Sequence, residues 1–296
     1  MKRIDIILNS VHGLTPLIHE LIKVPKDAGF SVHVHKTRHQ GHAKLIAQEI
    51  SKFHTNLIIA AGGDGTAHEV INGLLSCDHT LPLFSIIPVG TGNDFMRGKS
   101  HFTTVDQLLE SLEKNKIIPT DLGQITHQGK KTYFLNIADT GFGGATVHTL
   151  NKQRNWLGGK LSYSLAILRT FITFRKPVLK IESKEWRHEG EVLLCAFCNG
   201  GIFGSGLTIH PEADPHDGQL EITLIGNVSL FDYIRYLPRL KKGQRIEHKE
   251  VKYLRSNKIA VSIQNGVSST EADGEPICET AFEVELLPQK INFLIP

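Results

Sequence analysis

The chain has 296 residues, 40% hydrophobic and 21% charged, which suits a globular protein and excludes a disordered or fibrous one. With 33 Lys and Arg against 30 Asp and Glu, the net charge of +3 is too balanced for nucleic acid to be the main partner. Its 4 cysteines make no disulfide framework: Cys195 and Cys198 form a CxxC inside an apolar run, with no second pair or histidines at ligand spacing, and read as buried strand cysteines in a reducing compartment. Met1 to Leu8 leads into a strand and not a signal peptide. No run of about 18 apolar residues occurs, so any membrane contact is expected to be peripheral.

Strands are expected at Ile4–Leu8, Phe30–Lys36, Asn56–Ala61 and Leu83–Ile87. Helical spacing follows each of them. The first helix is marked by Leu14, Leu17, Ile18, Leu21 and Ile22, and the second by Ala43, Ile46, Ala47, Ile50 and Phe53. The third runs through Val70, Ile71, Leu74 and Leu75, and the fourth lies around Leu108, Leu109 and Leu112. Such alternation argues for a parallel sheet with crossover helices. After about Thr120 strand-like runs crowd together, at Lys131–Ala138, Val178–Glu182, Glu191–Cys198, Gln219–Ile225, Lys258–Gln264 and Ala281–Leu287. Asn265-Gly266 and Asp273-Gly274 are turn pairs, and helices are expected near Ser162–Phe174 and Leu230–Leu240. The second part therefore reads as mainly antiparallel.

The strongest chemical signal is Asn56-Leu57-Ile58-Ile59-Ala60-Ala61-Gly62-Gly63-Asp64-Gly65-Thr66, a buried strand that runs through glycines into a helix. Glycines let the backbone approach phosphate oxygens, and a helix N-terminus offers N–H groups to the anion. A carboxylate there, Asp64, would repel phosphate unless Mg²⁺ lay between them. A tight turn capped by Asp is the plainer alternative. One strand later, Ile87-Pro88-Val89-Gly90-Thr91-Gly92-Asn93-Asp94-Phe95 repeats the theme. Loops at the carboxyl ends of neighbouring parallel strands share one crevice, so the pair points to a nucleotide-and-metal site. Neither loop has Rossmann or Walker A spacing, which disfavours hydride transfer.

Together, Gly62-Gly63-Asp64-Gly65-Thr66 and Gly90-Thr91-Gly92-Asn93-Asp94-Phe95 resemble the bacterial diacylglycerol kinase-like lipid kinases. The first loop alone is also similar to those of NAD kinases and phosphofructokinases, whereas the second discriminates. The likeness continues through Asn136–Gly143, Gly159–Tyr163, the stretch from Asn199-Gly200 through Asp217-Gly218, and Asp273-Gly274-Glu275-Pro276. It implies a phosphofructokinase-like α/β nucleotide-binding domain over residues 1–122 and a β-sandwich over residues 123–296, the last strand free to return to the first domain.

The resemblance also implies ATP and Mg²⁺ as cofactors and a lipid hydroxyl as acceptor. Gly62, Gly63, Asp64, Gly65, Thr66, Ala67 and His68 would form the nucleotide loop, with Asn9, Thr37, Gly90 and Thr91 adding contacts. Asp64 would approach the catalytic Mg²⁺, with Asp94 in its hydrogen-bond network and Glu275 as proton acceptor. A second, structural Mg²⁺ is implied at Asp214, Asp217 and Gln219, the first and last through backbone oxygens. The sequence departs from the family's habit in three places: no proline after Asn9, His68 for a frequent Asn, and His216 where some relatives have an acid.

Read without the resemblance, Asp214-Pro215-His216-Asp217-Gly218 is a turn and Asp273-Gly274 a hairpin tip. Leu230 to Lys242 makes an amphipathic helix with Arg235, Arg239, Lys241 and Lys242. It fits an anionic bilayer and a solvated basic edge equally well. His33 and His35 share a strand face and read as structural. The expectation is thus a cytoplasmic lipid kinase that touches the inner face of the membrane peripherally. An NAD or other small-molecule kinase on the same fold, or a nucleotide-binding regulator without turnover, is the alternative. The sequence names neither the lipid nor the oligomeric state.

Overall fold

The computed structural model describes residues 2–11, 13–24, 29–77, 80–89, 93–153 and 169–296. One compact unit holds the chain up to Leu122 together with Pro288–Pro296. Its strands β1 (Lys2–Leu8), β2 (Phe30–Lys36), β3 (Leu57–Gly62) and β4 (Leu83–Pro88) pair in parallel in the order β2-β1-β3-β4. Helices α1 (Pro16–Leu21), α2 (His42–Ile50), α3 (Asp64–Leu74) and α4 (Val105–Glu113) follow them in turn. Every residue of β3 is buried, as expected of a central parallel strand covered on both faces. Ile4, Ile6, Leu8, Leu57, Ile59 and Ala61 pack with Ile18, Leu21, Leu108 and Leu112 on one side of the sheet.

Helix α1 starts at Pro16 behind the cap Thr15, so Leu14 falls outside it, and α2 ends before Phe53. The N-terminus of α2 is capped from another helix. Glu69 of α3 accepts the N–H groups of Gly41 at 2.7 Å and Ala43 at 3.0 Å. A carboxylate at that position also suits the helix dipole. Within β1, the buried Asp5 carboxylate binds His35 and Thr55, each at 2.8 Å, and Arg3 at 2.8 Å. Burial alone would raise its pKa, but the hydrogen bonds from His35, Arg3 and Thr55 outweigh that and hold it at about 2. His35 is therefore structural, as its strand position suggests.

The second compact unit is Gly123–Leu287. It receives β5 (Ile117–His127) and continues with β6 (Lys130–Phe134), β7 (Ile137–Gly141), α5 (Phe142–Gln153), β8 (Val178–Ser183), β9 (Arg187–Glu191) and β10 (Leu194–Cys198). Then come β11 (Ile202–Phe203), β12 (Leu207–Thr208), β13 (Glu221–Ile225), α6 (Leu230–Lys241), β14 (Val251–Arg255) and β15 (Lys258–Asn265). The chain closes with β16 (Thr270–Ala272), β17 (Glu275–Cys278) and β18 (Phe282–Leu294). One sheet runs β14-β13-β10-β7-β16-β17, wholly antiparallel, and β8, β9, β15 and β18 belong to the other. Alternate residues of both sheets fill a shared core, among them Phe134, Leu179, Ile181, Phe197, Ile222, Leu224, Val261, Phe282 and Val284. That is a β-sandwich.

Cys195 faces this core, whereas Cys198 lies on the opposite face with Ala196 and Ile209. Three residues apart on a strand, the two thiols point opposite ways and cannot share a metal. Burial raises both of their pKa values.

The expected strand Lys131–Ala138 is broken between β6 and β7, where the N–H groups of Leu135 and Asn136 turn to Asp273. The run Glu191–Cys198 divides between β9 and β10. Strand β18 extends beyond Leu287 to Leu294 through Gln289, whose positive φ of 49° marks a kink. Asn265-Gly266 joins strands that are not paired with each other, so it is no hairpin tip. Of the helix expected at Ser162–Phe174, residues 162–168 lie outside the described residues, and 169–173 are helical. Among the described residues no helix is long and apolar enough to cross a membrane.

Candidate active site

The sheet order places β1 between β2 and β3, so the β1–β2 and β2–β3 crossovers run in opposite directions across the sheet. A topological switch point results, and its crevice opens at the carboxyl ends of these strands. Asn9 follows β1, Thr37 follows β2, Gly62 to Thr66 follow β3, and Asp94 lies in the loop after β4. Hydrogen bonds tie the loops together. Asn9 Nδ2 donates to Thr66 Oγ1 at 3.2 Å, bridging the switch point itself. Ser10 N donates to Thr37 Oγ1 at 3.2 Å. Val89 N donates to Gly62 O at 3.0 Å.

Helix α3 has glycine as its N-cap and no side-chain cap hydrogen bond. The positive end of the helix dipole there favours an anion. Gly62 leaves no room for a Cβ, which would press on the side chain of Thr66. Within α3, Thr66, Ala67 and His68 are buried, and Asn72 Nδ2 donates to His68 O at 2.9 Å and lies 3.4 Å from His68 Nε2. The His68 ring is thus directed into the helix packing.

Asp64 is the first residue of α3, and its carboxylate reaches the neighbouring loop. It accepts Asp94 N at 2.8 Å and Phe95 N at 3.3 Å. The two glycine-bearing loops are therefore locked through one carboxylate, a link their sequences do not announce. Asp94 Oδ1 in turn takes two bonds from Arg97, at 3.1 Å from Nε and 3.0 Å from Nη2. Arg97 escaped the sequence reading, although its i,i+3 spacing from Asp94 was there to be read. Gly90 and Thr91 lie outside the described residues, as does Gly159–Tyr163.

The remaining expected site residues belong to the second unit. Asp273 and Gly274 have φ of 50° and 86°, which makes the tight turn between β16 and β17, and Glu275 begins β17 half-buried. The Asp273 carboxylate accepts Leu135 N and Asn136 N, both at 2.9 Å, and Ile137 N at 3.3 Å. Glu271 accepts the Gly274 N–H and lies directly across from Asp139 of β7. Both of these carboxyls are buried, and the loss of solvation pushes both pKa values up. The turn bearing Glu275 is thus held by Glu271, an acid that no motif in the sequence marks out.

Asp214 Oδ1 accepts His216 N at 3.1 Å and Asp217 Oδ1 accepts Gln219 N at 2.9 Å, so both close local turns. Glu221, two residues past Gln219, is shielded from solvent. Burial and the Asp217 charge push its carboxyl up to about 7, and Arg255 at 3.1 Å offsets only part of this. Hard oxygen donors and excess negative charge fit a divalent cation. Among the described residues no group of three His, Cys, Asp or Glu side chains converges. A cation here would draw on backbone oxygens.

A glycine loop and uncapped helix at the switch point of a parallel sheet, followed by a β-sandwich, define a kinase-type protein. Residues 137–295 match the YegS C-terminal NAD kinase beta sandwich-like domain, and residues 6–125 match the diacylglycerol kinase catalytic domain. The chain belongs to this diacylglycerol kinase-like lipid kinase family. A protein named "Probable lipid kinase YegS-like" from Yersinia pestis (strain Pestoides F) is 29% identical over 293 residues, 98% of this chain and 96% of that one. The crystal structure of a diacylglycerol kinase from Bacillus anthracis str. Sterne superposes with a TM-score of 0.68 at 21% identity, covering 100% of this chain and 97% of that one. An NAD kinase from Archaeoglobus fulgidus in complex with ATP gives 0.57 at 14% identity, covering 99% and 93%. At these identities the two structures show the shared fold.

Proposed function

We propose that this protein transfers the terminal phosphate of ATP, with Mg²⁺, to the hydroxyl of diacylglycerol or a related lipid at the inner face of the membrane. The observation that supports this reading most is the uncapped N-terminus of α3, with Asp64 braced against the second loop. Phosphoryl transfer asks little covalent chemistry of a protein, so positioning and charge stabilisation dominate. Gly62 to Thr66 bind the phosphates through backbone N–H groups, while Asn9, Thr37 and Thr91 orient the nucleotide. Asp64, with Asp94 in its hydrogen-bond network, is the residue that would hold the catalytic Mg²⁺, which when bound neutralises charge developing on the transferred group. Asp214, Asp217 and Gln219 would hold a structural cation. Glu275 takes the proton of the lipid hydroxyl, a poor nucleophile until that proton leaves.

The test is transfer from labelled ATP to a panel of lipids and to NAD, with Glu275→Gln and Asp64→Asn alongside the wild type. We expect label in one lipid class. Glu275→Gln should lose about 10²- to 10⁴-fold in kcat with ATP affinity kept, as expected for a lost general base. Asp64→Asn should abolish Mg²⁺-dependent turnover. Label in NAD and in no lipid would overturn the acceptor. Retention of more than about a tenth of kcat in Glu275→Gln, with Asp94→Asn dead, would transfer the base role to Asp94.

A further inference from the structure

Helix α6 is amphipathic in sequence, yet none of its residues is fully buried. Tyr233, Tyr236 and Leu240 on its inner side line an apolar hollow with Leu193, Ile225 and Val251. The outer side is the unexpected one. Phe231 and Ile234 stand 71% and 58% exposed, one turn apart, with Pro238 exposed a turn further on. Among them Arg235, Arg239, Lys241 and Lys242 are all exposed. The helix carries one acid, Asp232, and this is folded back into the capping box with Ser229.

The neighbouring segment has the same character. Phe171 packs on Tyr233 with ring centroids 5.8 Å apart, and Phe142 holds Phe171 and Phe174 from behind, at 5.3 and 5.8 Å. This arrangement leaves Ile172 at 70% exposure, with Arg169 and Arg175 exposed beside it. Exposed apolar side chains are ordinary when scattered. Here three large ones belong to two segments in contact, and six cations accompany them. A merely solvated edge needs the cations and has no use for the Phe and Ile.

We infer that the outer face of α6, with the segment around Ile172, docks on an anionic lipid bilayer. Phe231, Ile234 and Ile172 enter the boundary between headgroups and acyl chains, while the Arg and Lys side chains meet lipid phosphates. Charge complementarity selects this occupant. A second copy of the face would bring like charges together, whereas a neutral protein partner would leave the cations unmatched. The inference rests on the lipid-kinase reading only in that a bilayer-embedded acceptor gives docking its purpose.

The test is sedimentation of the full chain with phosphatidylcholine vesicles, with and without phosphatidylglycerol, across a salt series. The wild type should bind the anionic vesicles and lose them as salt rises. Replacing Arg235, Arg239, Lys241 and Lys242 by Gln should weaken binding roughly 10²- to 10³-fold at low salt. Phe231→Ser with Ile234→Ser should weaken it roughly tenfold or more. These side chains are exposed, so the melting temperature should be unchanged. Turnover of lipid in detergent micelles should also persist in both variants while turnover on vesicles falls. No binding by the wild type, or wild-type binding by both variants, would overturn the docking face. So would a variant-induced change of oligomeric state with vesicle binding intact, because the face would then be a self-interface. Failure to phosphorylate lipid even in micelles bears on the proposed reaction alone, since sedimentation needs no turnover.

Discussion

Asp273 is expected to be among the costliest single residues to remove outside the apolar core. Its carboxylate receives three backbone N–H groups, from Leu135, Asn136 and Ile137, all buried residues. Asp273→Ala leaves these donors without that acceptor. An orphaned buried amide costs about 1–3 kcal/mol. Two of the bonds are short and one is long, so the sum is about 3–5 kcal/mol. An alanine at the positive φ of Asp273 adds roughly 1 kcal/mol of backbone strain. Against a total stability of about 5–15 kcal/mol, that is a large share. Asp273→Asn separates the contributions. Oδ1 serves Asn136 and Ile137 while Oδ2 serves Leu135, so one amide oxygen keeps two of the bonds. Asn also tolerates the positive φ. Its cost should be about 1–2 kcal/mol, from one lost bond and the lost charge. Urea denaturation of the three proteins gives the comparison directly. A cost below about 1 kcal/mol for Ala, or equal costs for Asn and Ala, would refute the reasoning.

Gly62→Ala should displace Thr66, against which the new Cβ would press, and lower nucleotide affinity at least as clearly as melting temperature; calorimetric titration with ATP checks this, and unchanged affinity counts against a phosphate role for the loop. Asp5 has its pKa depressed from 3.8 to about 2, so the stability it confers is present above pH 3.8 and lost as pH falls towards 2. That loss is about 2 kcal/mol, and Asp5→Asn should flatten the acid limb of stability against pH. Glu271 has the opposite sign. Its pKa is raised by burial and by Asp139, so its contribution is complete below the ordinary carboxylate range and declines as pH rises. Glu271→Gln, permanently neutral, should gain stability relative to wild type from pH 5 to pH 8; a loss that grows with pH would show the pair to be stabilised by ionisation.

The α/β alternation was legible because central parallel strands are almost wholly apolar and their helices periodic. Phe30–Lys36 was expected and found with the same ends. Local pattern failed wherever a distant residue decided the backbone. The break after Phe134 is set by Asp273, more than a hundred positions later in the chain. The second half of β18 lies past Pro288, where proline halts the strand pattern that ends at Leu287. In the structure Gln289 instead kinks and donates its N–H to Asp121 at 2.6 Å. Ile117-Ile118-Pro119 hides β5 for the same reason, since proline demotes a strand reading. Within the site, the glycine loops and Asp64 announced themselves by composition. The bond from Asp94 N to Asp64 and the support of the Glu275 turn by Glu271 depend on how loops approach in space, which spacing along the chain does not carry.

Strand β18 also bears on the order in which the protein can be made. Its end completes the first unit: Phe293 stacks edge-on against Phe84 with ring centroids 5.5 Å apart, Leu294 lies in that unit's core, and Leu294 O accepts Ser85 Oγ at 3.2 Å. On the ribosome these residues emerge only after the whole of Gly123–Leu287 has been synthesised. Until then the exposed edge of β4 and the gap left by Leu294 persist, so the nascent α/β sheet waits, incomplete and open to mispairing, while the β-sandwich forms behind it. A fragment ending at Leu122 should share that fate permanently, whereas one joined to residues 288–296 through a flexible linker has the means to close its core.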